Sequence, residues 1–345
     1  MLKIGIIGCG KIAQVRHIPE YSAHEQAEIV AYYDKTLDRA QAMAEKYGGK
    51  AYETLDELLA NEEIDAVSVC IANHMHAEVT IRALNSGKHV LCEKPMATSM
   101  EDCEAMVETA ERVGKKLVIG HNQILTAAHR RAKELIDQGL IGDILTFRTT
   151  FGHGGPEAWS IDPGPGTWFF KKEAAVFGAM ADLGVHKLYL LRYLTGQRYR
   201  SVSARFATLH KRNAQEQPIK VEDNAICILE MENGIMGSMT ASWTYYGAED
   251  NSTVLYGTEG ILKIYDDPNF AMVAVLKGGE RICFDLEGIQ TNVSQTRSGV
   301  IDEFIAVILE GKESELSGRR ALDAMRAIFA ASESARENKT VFIEN

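Results

Sequence analysis

The chain has 345 residues, enough for two domains that each bury a core. Its 37 lysines and arginines stand against 48 aspartates and glutamates, a net charge of −11, and the bases cluster only in pairs such as Lys115-Lys116 and Arg319-Arg320. That balance excludes an extended nucleic-acid or anionic-membrane surface, and no apolar stretch is expected to reach membrane-spanning length.

Strand-like runs at 2–8, 27–33, 65–71, 88–92 and 116–120 alternate with helical patterns at 11–22, 36–47, 54–60, 75–86 and 99–113. Gly87 and Gly114 sit where helices should stop. The alternation predicts βαβ units and a doubly wound, mostly parallel sheet over residues 1–122.

The first strand runs straight into Gly8-Cys9-Gly10-Lys11-Ile12-Ala13, the spacing of a dinucleotide-binding turn. Gly8 permits the tight turn, Gly10 lets the backbone approach a pyrophosphate, and Ala13 keeps the helix close to the sheet. The helix N-terminus around Lys11 and Ile12 offers unpaired N–H groups to the phosphates. Asp34 closes the second strand, where a carboxylate accepts ribose hydroxyls and repels a 2′-phosphate. That favours NAD, although Lys35 or Arg39 could neutralise such a phosphate, which leaves NADP open. Asp34 also fits the N-cap of the following helix.

The later strand ends of this region border the same crevice. Ala72, Asn73 and His76 follow the third long strand and are read as cofactor contacts. Glu93-Lys94-Pro95 follows the fourth, aiming Lys94 at the crevice, and Pro95 admits a cis bond. An ordinary surface lysine on a loop fits the same position. His121-Asn122-Gln123 ends the last parallel strand, and Asn122 and Gln123 are read as cofactor contacts. His74-Met-His76 has no carboxylate or cysteine to complete a metal site, so packing or helix-start roles fit it better.

From 123 to 345 the texture changes. A helix at 126–138 ends at Gly139, a strand lies near 143–151, and a Gly/Pro/Trp-rich loop follows at 152–168. A loop of that length in a compact domain points to a functional lid. After a helix at 178–194, strands predominate at 200–210, 223–231, 235–244, 252–257, 260–265, 271–276 and 281–285, with a hairpin turn at Asn233-Gly234. Ile235, Met239, Ala241 and Trp243 form an apolar face against Met236, Ser238, Thr240 and Ser242. Helices at 298–310 and 318–337 and a strand at 341–343 close the chain. This predicts an α+β domain on an open antiparallel sheet. The mild outer face of that sheet needs cover, which predicts a homo-oligomer, dimer or tetramer.

Asp182 and His186 stand four apart on the 178–194 helix. A carboxylate beside an imidazole raises its basicity and fixes its tautomer, as a general base requires, and a helix-surface pair has the same spacing. His153, Trp159 and Trp168 lie in the long loop just upstream. The tryptophan faces suit a sugar ring, but tryptophans are also common core residues and the core reading is favoured. Of the six cysteines, Cys70, Cys92, Cys227 and Cys283 fall in strand-like runs and are expected to be buried thiols; Cys9 and Cys103 complete the set, and none forms a CxxC pair. With the first strand beginning at Leu2 and leaving no room for a leader, this points to a reducing, cytoplasmic setting without disulfides.

Taken together, Gly8-x-Gly10-x-x-Ala13, Gly87-Lys-His-Val-Leu-Cys-Glu-Lys-Pro95, Gly139-Leu-Ile-Gly142-Asp-Ile, Asp182-x-Gly-x-His186 and Phe304…Ile308-x-x-Gly311 resemble the glucose–fructose oxidoreductase / inositol dehydrogenase / MocA (Gfo/Idh/MocA) family from end to end. The resemblance implies a Rossmann domain followed by an antiparallel-sheet domain, and an NAD-dependent oxidoreductase acting on a secondary hydroxyl of a sugar-like small molecule. It maps the family lysine onto Lys94, the aspartate onto Asp182 and the histidine onto His186. His186 would take the hydroxyl proton as hydride leaves, Lys94 would stabilise the alkoxide charge, and Asp182 would orient the pair. Two positions depart from many sugar and cyclitol members. Tyr189, read as a substrate contact, stands where an acid is common, and Ile124 where an arginine is common. The less charged pocket weighs against inositol itself, and the long loop suggests a bulkier glycoside. A redox-cycling NAD-dependent glycosidase and a non-catalytic nucleotide sensor are the alternatives, and the intact lysine, aspartate and histidine argue against the sensor.

Overall fold

A computed structural model describes residues 1–289 and 296–344. They form two compact units. The first comprises Met1–Asn122, Trp159–Asp162 and the described residues of 290–322. The second comprises Gln123–Ala158, Pro163–Ile289 and the described residues from Asp323 onward.

The first unit is a six-stranded parallel sheet of β1 (Leu2–Ile7), β2 (Ala27–Tyr33), β3 (Lys50–Ala51), β4 (Ala66–Val69), β5 (His89–Cys92) and β6 (Leu117–Ile119), in the order β3-β2-β1-β4-β5-β6. Every residue of β4 is buried, as expected of a central strand covered on both faces. The edge strand β3 is too short to leave a sequence signal. The helices are α1 (Ile18–Ala23), α2 (Leu37–Tyr47), α3 (Leu55–Ala60), α4 (His76–Asn85) and α5 (Met100–Val113). α3 opens with a capping box: Glu57 N donates to Thr54 Oγ1 and Thr54 N donates back to Glu57 Oε2. α5 ends at Gly114 in the left-handed region. The segment expected as one helix over 11–22 is helical throughout, with Ala13–His17 wound as a wider π-turn ahead of α1.

The second unit contains α6 (Ala127–Asp137), α7 (Lys172–Ala175), α8 (Val185–Thr195) and a nine-stranded sheet. Its strands are β7 (Ile144–Gly152), β8 (Tyr199–Ala207), β9 (Asn224–Met231), β10 (Met236–Ser242), β11 (Thr253–Gly257), β12 (Gly260–Ile264), β13 (Met272–Leu276), β14 (Arg281–Phe284) and β15 (Val341–Phe342). The order is β14-β13-β12-β11-β7-β10-β9-β8-β15. The sheet is mixed and not wholly antiparallel as expected, since β10 runs parallel to β7, with Thr240 opposite Thr150. Met239, Ala241 and Trp243 are buried as the alternation predicts. Ser242 is buried too, against expectation, because its hydroxyl donates to Asn224 Oδ1 at 2.8 Å.

Two other expectations change. Lys172–Thr195 is long and apolar enough to cross a membrane by composition, and 83% of its apolar 18-residue stretch is buried inside the structure, so it is core. All six cysteines are free thiols, five of them buried, but Cys283 is exposed because β14 is an edge strand. Ahead of β15 come α9 (Val300–Leu309) and α10 (Gly318–Glu337). In the first unit Ser298 N and Oγ donate to the Glu20 carboxylate, and Ile119 N donates to Leu316 O at 2.8 Å, which covers the open edge of β6.

Candidate functional site

In the first unit, Gly8 follows β1 at φ +92°, where a Cβ would stand 2.4 Å from the Cys70 carbonyl oxygen. Only glycine makes this turn. At Gly10 a Cβ would meet nothing nearer than Cys70 O at 4.0 Å, so the backbone there lies open to an approaching group. Asp34 is buried and accepts Cys9 N at Oδ2 (2.7 Å) and Thr36 N at Oδ1 (2.8 Å), bracing the glycine turn from behind. The N-cap of α2 is Thr36, so Asp34 is not the cap. Lys35 is exposed, and Arg39 Nη2 reaches Asp162 Oδ1 at 2.6 Å.

The turn after β5 is anchored from below. Buried Glu93 accepts Arg16 Nη1 (2.9 Å) and His17 Nε2 (2.8 Å) at Oε1, and Lys94 N (3.2 Å) at Oε2. Burial alone would raise the Glu93 pKa. Arg16, His17 and Lys94 outweigh burial and hold the carboxyl well below the usual carboxylate range. Lys94 is half-buried and precedes a cis bond to Pro95. His121 is buried, and desolvation together with the Lys94 charge lowers its pKa to about 3, so it is neutral. The His76 ring is buried between Pro95 O (Nδ1, 2.7 Å) and Ile71 O (Nε2, 3.0 Å), tying the loop of Ala72 and Asn73 to the Lys94–Pro95 turn. Asn122 is half-buried at the end of this unit. Among the described residues no cluster of His, Cys, Asp and Glu could hold a metal ion.

In the second unit, Met180–Gly184 form a π-turn leading into α8, a feature that recurs at functional sites. Glu222 fixes the start of this run: Oε1 accepts Gly178 N (2.8 Å) and Met180 N (3.1 Å), while Ala179 N donates to Glu222 O (2.9 Å). Burial raises the Glu222 pKa to about 7. Asp182 Oδ2 accepts Trp243 Nε1 at 3.0 Å and lies 4.0 Å from His153 Nε2. Gly155 N donates to His153 Nδ1 at 3.0 Å, so the neutral ring carries its proton on Nε2, facing that carboxylate. The Phe151 ring lies 6.0 Å from His153 and 5.9 Å from His186, between centroids. His153 and His186 thereby flank one aromatic ring, and Asp182 lies beside His153.

Trp168 is half-buried and stacks on Phe169 at 3.9 Å; Phe169 and Phe170 in turn contact Trp243. Trp159 lies in the Trp159–Asp162 segment, which packs with the first unit. Tyr189 is fully buried, and so nearly is Gln123, whose carbonyl accepts His129 Nδ1 at 2.7 Å. Sequence reasoning missed Trp243 as the partner of Asp182, Glu222 as the helix anchor, and Lys211, which donates to Gly154 O and Glu157 and so holds the long loop.

Residues 2–121 match the oxidoreductase family with an NAD-binding Rossmann fold, GFO/IDH/MocA, and residues 129–263 match the GFO/IDH/MocA C-terminal domain. Glucose-6-phosphate 3-dehydrogenase of Bacillus subtilis is 31% identical over 245 residues, 70% of this chain and 68% of that protein. The chain belongs to the GFO/IDH/MocA oxidoreductase family. Myo-inositol 2-dehydrogenase of Thermotoga maritima is 26% identical over 352 residues, 99% of both chains. The crystal structure of aldose-aldose oxidoreductase from Caulobacter crescentus, complexed with glycerol, superposes with a TM-score of 0.84 at 27% identity over 99% of both chains.

The family's first domain is NAD-binding, and the first unit fits that nucleotide on its own geometry. The Gly8 turn is closed to any Cβ, the Gly10 backbone is open in front, and a buried acid ends β2.

Proposed function

We propose that this GFO/IDH/MocA member moves hydride between NAD and a secondary hydroxyl or keto group of a sugar, cyclitol or glycoside. Gly8, Gly10, Lys11, Ile12 and Ala13 would hold the pyrophosphate and Asp34 the ribose. Bound NAD supplies the hydride acceptor. The observation that carries the reading is the buried Asp182 carboxylate, held by Trp243 with His153 facing it, on the helical run that presents His186. His186 takes the hydroxyl proton. Lys94 stabilises the negative charge left on that oxygen, and its backbone is held by Glu93. Asp182 orients the base. His153 and Trp168, in the loop held by Lys211 and against the aromatic cluster, are proposed substrate contacts.

The test is a panel of free sugars, pyranosides and inositols with NAD+, followed by NADH absorbance. Wild type accumulates NADH with at least one of them. Lys94→Ala, Asp182→Ala and His186→Ala each lose roughly 10²–10⁴-fold while still binding NAD+. Sugar release without net NADH, or full activity in Lys94→Ala, overturns the reading.

We also propose that the protein self-associates through the outer face of the second sheet. Ile226 and Ile228 of β9 and Met236 of β10 are 57%, 63% and 52% exposed, a contiguous apolar patch in register with Thr240, Ser238 and Glu230. Light scattering of Ile226→Glu/Ile228→Glu against wild type tests this; a wild-type monomer overturns it.

A further inference from the structure

The cofactor reading above leaves the cation beside Asp34 unexplained. Arg39 sits in the first turn of α2, immediately after the ribose acid, and its charge is felt at the Cys9 thiol in the glycine turn. A guanidinium at that place is suited to a 2′-phosphate. Here it is already engaged. Its Nη2 donates to Asp162 Oδ1 at 2.6 Å, a short charge-assisted bond between residues 123 apart in sequence. Asp162 belongs to the Trp159–Asp162 segment, which leaves the long loop to pack with the nucleotide unit, and Ser160 Oγ donates to Asp162 O at 3.0 Å.

We propose that Asp162 is a specificity-determining residue for the dinucleotide: by engaging Arg39 it withholds that cation from a 2′-phosphate and keeps the site selective for NAD over NADP. The inference rests on the reading that the Gly8 turn binds a dinucleotide. Asp34 then remains the ribose acid, and the Arg39 guanidinium is paired with a second carboxylate, Asp162. A 2′-phosphate entering there finds the Arg39 charge already committed to Asp162, whereas a ribose 2′-hydroxyl needs only an acceptor.

The experiment is calorimetric titration of the full chain with NAD+ and with NADP+, using wild type, Asp162→Asn, Asp162→Ala, Arg39→Ala and the double variant Arg39→Ala/Asp162→Ala. Wild type binds NAD+ more tightly. Either Asp162 variant binds NADP+ about tenfold more tightly than wild type, the scale of one released charge pair near a protein surface, with NAD+ affinity within about twofold. The gain disappears in the double variant, because it runs through Arg39. NADP+ affinity unchanged in both Asp162 variants, a gain that persists without Arg39, or a wild type indifferent to the 2′-phosphate each overturns the proposal. If wild type binds NAD+ and only the Asp162 effect is missing, the dinucleotide reading stands and this inference alone fails. If wild type binds neither nucleotide, both fail.

Discussion

The Trp243 indole N–H and the Asp182 carboxylate are joined by a 3.0 Å hydrogen bond across 61 residues of sequence. One partner follows the end of β10 and the other sits in the π-turn before α8, so the bond fixes the carboxylate against the sheet. Trp243→Phe keeps a ring in the core and deletes the donor. A lost hydrogen bond to a charged group is worth about 1.5–3 kcal/mol, so a roughly tenfold or greater fall in kcat is expected, with KM changed less. Steady-state kinetics on an established substrate checks this. An unchanged kcat with a lowered melting temperature would make the bond purely structural.

That bond also marks where sequence reading stops. The Gly8–Ala13 turn, Asp34 and the Glu93-Lys94-Pro95 turn are local patterns attached to strand ends, and a parallel sheet places strand ends by rule. Asp182 and His186 are legible for the same reason, being close together on one helix. Their partners are not. Trp243 reads as one more apolar residue of an alternating strand, and Glu222 as an ordinary acid beside Asp223, because only tertiary packing gives either its role. The parallel pairing of β10 with β7 is equally silent, since alternation is the same whichever way the neighbouring strand runs. Cys283 shares the apolar texture of buried strands, and what exposes it is its place at the sheet edge.

Glu222 makes the helix anchor sensitive to pH. Its folded pKa is about 7 against an ordinary 4.5, raised by burial. Between those values the folded chain holds a proton that the unfolded chain has lost, so stability falls as pH rises through the window. Glu222→Gln keeps the acceptor for Gly178 N and Met180 N and cannot ionise. It should match wild type near pH 4.5 and exceed it above pH 7, the difference growing by about 1 kcal/mol per pH unit crossed. Urea titrations at the two pH values measure this; parallel curves would show that the carboxyl is not strained by burial.

Lys187 poses the opposite case, in the helix that follows the run Glu222 anchors. It is fully buried, donating to Asn251 O (2.8 Å) and Thr253 Oγ1 (3.3 Å), and burial lowers its pKa to about 7, opposed by Asp250 and Glu249. Between about 7 and its ordinary 10.5 the unfolded chain binds the extra proton, so wild-type stability rises with pH across that range. Lys187→Met has no such proton. Measured by denaturant unfolding at pH 7 and pH 9, wild type should gain on the variant as pH rises, by up to about 1 kcal/mol per unit. A difference independent of pH would mean the lysine stays charged throughout.

The glycine turn separates folding from nucleotide binding. At Gly8 an added Cβ meets Cys70 O at 2.4 Å and Ile71 Cγ2 at 2.7 Å on a backbone at φ +92°. Gly8→Ala must therefore open the turn and weaken the Gly8 N to Tyr33 O bond, a loss of about 1–3 kcal/mol or more in stability. At Gly10 the same added carbon meets only Cys70 O at 4.0 Å, and this glycine is not in the left-handed region. Gly10→Ala should then leave the unfolding free energy within about 0.5 kcal/mol of wild type. Its methyl would occupy the face that the pyrophosphate approaches, so NAD+ affinity measured by calorimetry should fall by roughly tenfold or more. A Gly10→Ala protein that folds as well as wild type and still binds NAD+ with undiminished affinity would place the pyrophosphate somewhere other than this turn.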